Sequence, residues 1–461
     1  MTMPSLRSWA LALACILSAC GPSSAPRGAQ AAADTRADSA AAAQVRGAFL
    51  HAWSGYERYA WGHDQLLPLS RGSRDWYPAS LVMTPLDAFD TMLLMGLRAE
   101  AAKAKALILD SLSFDRDFPV QAFEITIRML GGLLSAYQLD GDRRFLALAR
   151  DLGDRLLPAF RSRTGMPYRY VNLRTGAVSG PVSNPAEIGT QMLEFGALSK
   201  LTGDPKYYDT AKRAVVALFA RRSALGLVGS TIDVESGRWV DRDSHVSGGI
   251  DSYYEYLLKA WLLFGDSTFK GMWDTSVVAV NRYLADERAS GLWYGHADME
   301  TGARGVTQFG ALDAFFAAVL AKSGDTARAG RLMASIVTMW TRFGIEPEQL
   351  DYVTMRPVEA GYVLRPEAIE SAYYLFRVTG QPRYREMGRL MVDSLFRYTR
   401  GAVGFTALTD VVSKERRDQM ESFFLAETLK YAWLLFAPPT ALPFDSVIFN
   451  TEAHPIRRTW R

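Results

Sequence analysis

A short turn, glycine followed by aspartate, recurs along this chain at an interval that leaves few folds open to it. Copies stand at Gly141-Asp142, Gly203-Asp204, Gly265-Asp266 and Gly324-Asp325, with a variant at Gly380-Gln381. Successive glycines are 62, 62, 59 and 56 residues apart. An apolar stretch of helical spacing precedes each turn, as at residues 133–137, and an amphipathic one follows, as at 207–218. The chemistry of a helical joint explains the pair: glycine enters the left-handed conformation that ends one helix, and aspartate caps the start of the next. One Gly-Asp is an ordinary surface turn. Five turns at near-constant spacing predict a tandem array of helical hairpins.

An N-terminal pair (about residues 45–65 with 84–110) and a final pair bring the count to about seven hairpins. These can close into a ring with the more apolar helices inside, so the expected fold is all-α, an α/α barrel. Short segments at 166–171, 228–234 and 292–294, each ahead of a Gly-containing turn, predict small β-hairpins at one end of the helical stack.

The apolar fraction of 49% and aromatic fraction of 12% suit a large core with a sugar- or lipid-facing cleft. Basic (52) and acidic (49) residues are spread along the chain without a basic stripe, which argues against nucleic acid as a partner. The start of the chain reads as an export signal: Arg7, an apolar run over 9–17, then Leu17-Ser18-Ala19-Cys20. That tetrapeptide looks like a bacterial lipobox. The expectation is a signal peptide over 1–19, a lipidated Cys20 with a flexible tether over 20–44, and one catalytic domain over 45–461. The protein would then be exported and lipid-anchored on the periplasmic side of a bacterial membrane; an ordinary cleaved secretory peptide is the alternative. Cys15 and Cys20 are the only cysteines, so no disulfide is expected within the domain.

Reading back from the turns, an acidic residue sits near the start of the more apolar helix. Glu124 is 17 residues before Gly141, Glu187 is 16 before Gly203, Asp251 is 14 before Gly265 and Glu367 is 13 before Gly380. Inner helices of a barrel run in one direction, so these carboxylates should meet at one mouth; Asp87, Asp90 and Glu427 are candidates to join them. A single acid in a first turn is explained by the helix dipole, about 0.3–1 kcal/mol. Several acids mixed with arginine and aromatic residues suit a carbohydrate site better than a core. Acetal hydrolysis needs one protonated carboxyl for the leaving oxygen and one ionised carboxylate to activate water. No Gly-x-Ser-x-Gly elbow, His-Glu-x-x-His pattern or Walker loop points to another chemistry.

Longer segments, in order from about residue 47 to 456, carry a resemblance. They are His51-Ala52-Trp53-Ser54-Gly55-Tyr56 with Tyr59-Ala60-Trp61-Gly62-His63-Asp64, Phe123-Glu124 through Arg128-Met129-Leu130-Gly131-Gly132, Asp251-Ser252-Tyr253-Tyr254-Glu255-Tyr256, Leu364-Arg365-Pro366-Glu367, Glu421-Ser422-Phe423-Phe424 through Glu427, and Thr451-Glu452-Ala453-His454-Pro455. Together they resemble the motifs of the class I α-mannosidases, the inverting α-1,2-mannosidases of glycoside hydrolase family 47, and the chain is read as a bacterial member. The resemblance implies an (α/α)7 barrel, α-1,2-linked mannosides as substrates, and Ca²⁺ at the barrel floor in contact with the sugar. It makes Glu124 the general acid, directly or through a water, Glu367 the base, and Asp251 a third catalytic carboxylate, with the acid role open between Glu124 and Asp251. Thr451 becomes the calcium ligand; from the residues alone, 451–455 would read as a turn. Arg128, Glu187, Arg365, Glu370, Glu427 and Glu452 become residues of the sugar pocket or of calcium-bound water, and Phe423 a platform under the sugar. A monomer is expected.

Two departures from the family pattern stand out. Gly305-Val306-Thr307-Gln308-Phe309 occupies a segment where eukaryotic members carry a cysteine and a nearby histidine. Gly249 replaces a bulky arginine found two residues before the equivalent of Asp251 in endoplasmic-reticulum-type members, which predicts a more open site. Two other readings remain: a mannose-binding, non-cleaving protein of the same superfamily, and an α/α-barrel lyase or glycosidase acting on another sugar.

Overall fold

The computed structural model describes residues 37–460. Helices pair along the chain as the turn repeat predicts: Gly131–Asp140 with Arg143–Leu156, Met192–Thr202 with Pro205–Phe219, Asp251–Phe264 with Ser267–Tyr283, Phe316–Ser323 with Thr326–Phe343, and Glu367–Thr379 with Pro382–Thr399. Gly141, Gly203, Gly265, Gly324 and Gly380 all end their helices with positive φ, between 67° and 101°. Asp142, Asp204, Asp266 and Asp325 accept the backbone N–H of Arg144, Lys206, Thr268 and Arg328 at 2.9–3.1 Å. These caps satisfy donors that a helix start leaves without partners. Gln381, in the variant turn, makes no such side-chain cap.

The N-terminal pair differs from the expectation. Residues 84–110 are themselves a hairpin, Met83–Leu94 and Arg98–Ser111, turning at Gly96 with φ 68°. The first described helix, Ser39–Tyr59, instead packs against the last inner helix, Leu429–Phe436. The Asp38 N–H donates to the Phe436 carbonyl at 2.9 Å, and Arg389 Nη2 reaches the Asp38 carboxylate at 2.5 Å. The seventh pair is therefore made by elements from the two ends of the barrel, and the architecture is an (α/α)7 barrel. This first helix also begins within the span expected as a tether, with Ala41 and Ala42 buried. An Ala-rich stretch resembles a linker in composition yet has the highest helix propensity.

Small antiparallel sheets decorate the helical ring. Tyr170–Asn172 pairs with Val178–Ser179, and Thr231–Asp233 with Arg238–Asp241, where hairpins are expected. The third differs: Gly291–Tyr294 pairs backwards with Ala285–Arg288, while Ala297–Asp298 joins Asp243–Ser244. One close approach is testable. The strand Gln308–Gly310 lies against Gln349–Asp351, and a Cβ on Gly310 would fall 2.0 Å from the Glu348 carbonyl oxygen. Backbone on both sides is fixed by the sheet. Gly310→Ala is expected to cost about 1–3 kcal/mol, measured as a shift in urea midpoint; an unchanged midpoint would show that the strands can part.

Candidate active site

The inner helices open on a cavity of about 320 Å³. Glu124, Arg128, Glu187, Asp251, Arg365, Glu367, Phe423, Glu427, Thr451 and Glu452 all line it. Residues up to 328 positions apart thus meet at one end of the ring. Glu370, the remaining candidate, lines a smaller cavity of about 50 Å³ that shares Asp251, Glu367, Glu427 and Thr451 with the first and adds Glu255. Glu255 follows Asp251 by one helical turn, so its spacing was a legible signal; it forms an ion pair with Lys259.

Asp87 and Asp90, expected near a helix start, instead lie one and two turns into Met83–Leu94 and do not reach the cavity. Both are fully buried beneath it. Lys430 Nζ lies 2.7 Å from Asp90, His454 Nδ1 is 2.7 Å from the same carboxylate, and Arg128 is 3.9 Å from Asp87. These acids are structural partners of buried cations.

Two of the inner helices carry a wider, π-type turn, Thr126–Leu130 and Phe424–Thr428. The first holds Arg128 and begins two residues after Glu124; the second holds Glu427 and directly follows Phe423. Such turns re-aim side chains and recur at functional sites. Arg128 Nε contacts Glu124 at 3.0 Å and Nη1 contacts Glu452 at 2.5 Å. Arg365 pairs with Glu348 at 2.9 Å. Both guanidinium groups stand within 6 Å of the Phe423 ring centre, at 5.7 and 5.6 Å. Glu187 is held by Gln121 and Ser183, each at 2.9 Å, and by Arg169 at 3.0 Å. Leu364, just before Arg365, is buried with φ 70°, a strained state for a side chain of that size. The Thr428 hydroxyl donates to its carbonyl at 2.7 Å.

The Thr451 loop is fixed from several sides. The Thr451 N–H donates to Tyr256 Oη at 3.2 Å, and that hydroxyl donates to Glu194 at 2.6 Å. Asn450 donates to Glu194 and to the Ile127 carbonyl, and accepts from the backbone of Glu452 and His454. Glu194 and Asn450 escaped the sequence reading, and Tyr256 entered it only as part of a motif, because nothing local marks the three as neighbours.

Burial dominates the electrostatics. It lifts Asp251 to about 7, and lifts Glu367 to about 8 against the opposing pull of Arg365. Burial likewise raises Glu370 to about 8, opposed by Lys259, and Glu452 to about 7, opposed by Arg128. Glu427 stands well above the usual carboxylate range through burial and its neighbour Glu452. One buried Glu367 oxygen, Oε2, has no hydrogen-bond partner. Gly249 lines the cavity with φ 94°, and a Cβ there would meet Asn184 at an ordinary 3.8 Å.

The sequence profile of glycosyl hydrolase family 47 matches residues 48–458. The chain belongs to glycosyl hydrolase family 47. It is 37% identical over 444 residues to alpha-mannosidase I MNS5 of Arabidopsis thaliana, covering 90% of this chain and 76% of that protein. It is also 37% identical over 442 residues to the human endoplasmic reticulum mannosyl-oligosaccharide 1,2-alpha-mannosidase, covering 88% of this chain and 62% of that one. The solved alpha-1,2-mannosidase from Trichoderma reesei superposes with a TM-score of 0.84 at 27% identity, covering 92% of this chain and 99% of its own. The family 47 protein is thus a glycoside hydrolase of α-1,2-mannosidase type.

The expected location is corrected by the same comparison. These relatives are eukaryotic, and the human one is named for the endoplasmic reticulum, which overturns a lipid-anchored protein on the periplasmic side of a bacterial membrane. Residues 1–36, including Cys15 and Cys20 and the segment expected to be a signal peptide, lie outside the described residues, and no helix among the described residues is long and apolar enough to cross a membrane.

Two groups bear on metal binding. Asp243, His245 and His296 present ligand atoms within 4.8 Å of one another. Two imidazoles and one carboxylate suit borderline transition metals rather than calcium. His296 Nδ1 is 2.6 Å from Asp243 and His245 Nδ1 accepts the Ser247 N–H at 3.1 Å, while the buried His296 Nε2 has no hydrogen-bond partner. The second group is the oxygen-rich floor at Thr451. Its ring of buried carboxylates is an all-oxygen donor set carrying excess negative charge, which fits a hard cation.

Proposed function

We propose that this protein is an inverting exo-α-1,2-mannosidase that removes terminal mannose from oligosaccharides or glycans with the help of Ca²⁺. The observation that carries the reading is the convergence of Glu124, Asp251 and Glu367 on one cavity above Thr451. Glu367 is the base: in its ionised form, which Arg365 favours against burial and which prevails above about pH 8, its unpartnered oxygen is free to take a proton from the attacking water. The proton for the leaving oxygen comes from the pair Glu124 and Asp251. Burial keeps Asp251 protonated up to about neutral pH, while Glu124 is ion-paired to Arg128 and suits delivery through a water. Phe423, steadied by two arginines, offers an apolar face to the sugar's C–H groups. Arg128, Glu187, Arg365, Glu370, Glu427 and Glu452 hold hydroxyls or ordered water around it.

Thr451 would hold calcium, which supplies a centre that fixes sugar hydroxyls. Gly249 leaves room beside Asp251 for several α-1,2-linked branches. The protein is taken to act as a monomer, with one catalytic domain that begins at the Ser39–Tyr59 helix rather than at residue 45. Incubation with α-1,2-mannobiose and calcium should release mannose, first as the β anomer by NMR. No release would leave the mannose-binding reading, and α anomer first would exclude inversion.

Calcium binding is expected to be proton-linked. Glu367, Glu370 and Glu452, raised to about 8, 8 and 7 by burial, carry protons below those values. Protons therefore compete with the cation, so affinity rises from pH 6 to pH 8 and binding at pH 6.5 releases protons. Calorimetric titration in buffers of different ionisation heat measures this; identical heats would show that the carboxyls are already ionised.

A further inference from the structure

We propose that Asp243, His245 and His296 form a binding site for a divalent cation of the zinc class, separate from the calcium floor at Thr451. Their ligand atoms all lie within 4.8 Å of one another. A two-stranded ribbon brings them together. Asp243–Ser244 pairs with Ala297–Asp298 in antiparallel register, Ser244 opposite Ala297, so that His245 falls across from His296. Asp243 and His245, two residues apart, share a face of their strand. The two imidazole rings stand 4.6 Å apart between centres, with planes 33° from parallel. Two nitrogens and a carboxylate are a donor set that suits zinc, cobalt or nickel better than calcium.

The bonding within the group leaves work for an ion. His296 is 8% exposed, and its Nδ1 lies 2.6 Å from Asp243 Oδ2. With the ring hydrogen on that side, the lone pair of Nε2 faces no donor: this nitrogen is buried without a hydrogen-bond partner. A buried acceptor left bare is costly, and a cation satisfies it. A carboxylate on the opposite nitrogen is also how proteins orient a metal-binding imidazole and raise its basicity. His245 is 7% exposed and held at Nδ1 by the Ser247 N–H. Two imidazoles in ring contact repel each other when both are protonated, whereas a shared cation draws both inward. The second oxygen of Asp243 offsets the charge of that cation.

The site has an entrance and a neighbour. Asp243 lines a surface cavity of about 720 Å³ together with Arg242, Asp298 and Arg304, which gives an ion access from solvent. None of the three proposed ligands lines the catalytic cavity. They stand one loop away from it, since the Ser247 carbonyl accepts the N–H of Asp251 at 3.0 Å and that of Ile250 at 3.1 Å. An ion fixed to 243–245 and 296 therefore braces the loop that enters the Asp251 helix.

Calorimetric titration with Zn²⁺ and absorbance titration with Co²⁺ test the site, both in excess Ca²⁺ to keep the carboxylate floor out of the competition. The expected result is one equivalent bound with a Kd of about 10 μM or tighter, a visible Co²⁺ spectrum of a nitrogen-ligated ion, and a Tm raised by Zn²⁺. His296→Gln is expected to weaken binding by about 10- to 100-fold. Asp243→Asn should do the same. Its side chain is 39% exposed and asparagine can still accept from His296, so this variant keeps the fold even where the buried histidine tolerates no exchange. No saturable binding, a Co²⁺ spectrum of oxygen ligands alone, or unchanged affinity in Asp243→Asn would overturn the site. Turnover is read in none of these measurements, so the outcome stands apart from the hydrolase reading.

Discussion

Glu367→Gln is expected to lower kcat by about 10²–10⁴-fold while the protein still binds mannosides. Glutamine keeps the size and hydrogen-bonding ability of the side chain but cannot take the proton from the attacking water. The site favours a clean result. Glu367 is the first residue of its helix, follows the braced Leu364-Arg365 segment, and has a buried oxygen with no partner that could suffer from the exchange. Amide for carboxyl also removes a charge that burial already disfavours, so thermal stability should hold or rise. Steady-state kinetics together with calorimetric binding measure the split. A variant with unchanged kcat would show that another group activates the water.

Lys430→Met is expected to destabilise the fold by about 3–5 kcal/mol. Lys430 and Asp90 are fully buried, 2.7 Å apart, and the lysine also donates to the Ala453 carbonyl at 2.7 Å. Removing the cation leaves a carboxylate in the core with His454 as its remaining charged partner. Asp90→Asn in the same chain should recover part of the loss, because the uncompensated charge goes too. Urea unfolding of the single and double variants measures both; a single variant as stable as the parent would show that water or rearrangement compensates Asp90.

The same cluster sets a pH window. Burial would raise Asp90, but Lys430 and His454 outweigh it and hold the carboxyl down to about 2. Burial would lower His454, but Asp90 and Asp87 outweigh it and lift the imidazole to about 9. The histidine's contribution is complete below pH 6.5 and is lost as pH climbs through 9, a fall of about 3 kcal/mol. The Asp90 contribution is complete above pH 3.8 and fades towards pH 2.

The barrel was legible in the sequence wherever its code is local. A glycine that must reach positive φ and an aspartate that caps two or three residues ahead write their turn into adjacent positions, and so five hairpins could be read from spacing. The ring's closure has no such code. Ser39–Tyr59 and Leu429–Phe436 meet through burial and one backbone contact at Asp38, and the turn at Met95-Gly96-Leu97 lacks the aspartate that marks the others. The acids show the same division. Glu124, Glu187, Asp251 and Glu367 converge because their helices run alike and each stands in a first turn, but Asp87 and Asp90 lie one and two turns into Met83–Leu94 and go to the core. Which fate an acid meets depends on distant Lys430 and His454. The π-type turns that aim Arg128 and Glu427 were likewise invisible, since these segments are buried on all sides and have no apolar stripe whose shift would mark an extra residue.

The seventh helix pair ties completion of the enzyme to the order of its synthesis. A nascent chain can form the first six hairpins in sequence, yet the surface of Ser39–Tyr59 that meets Leu429–Phe436 stays uncovered until the far end of the barrel leaves the ribosome. Thr451 and Glu452 emerge later still. A product truncated before Leu429 has an open seam, and one truncated before Thr451 has no floor beneath its carboxylates. Partial chains are therefore inactive and carry exposed apolar surface, the mark by which chaperones and proteases sort incomplete products.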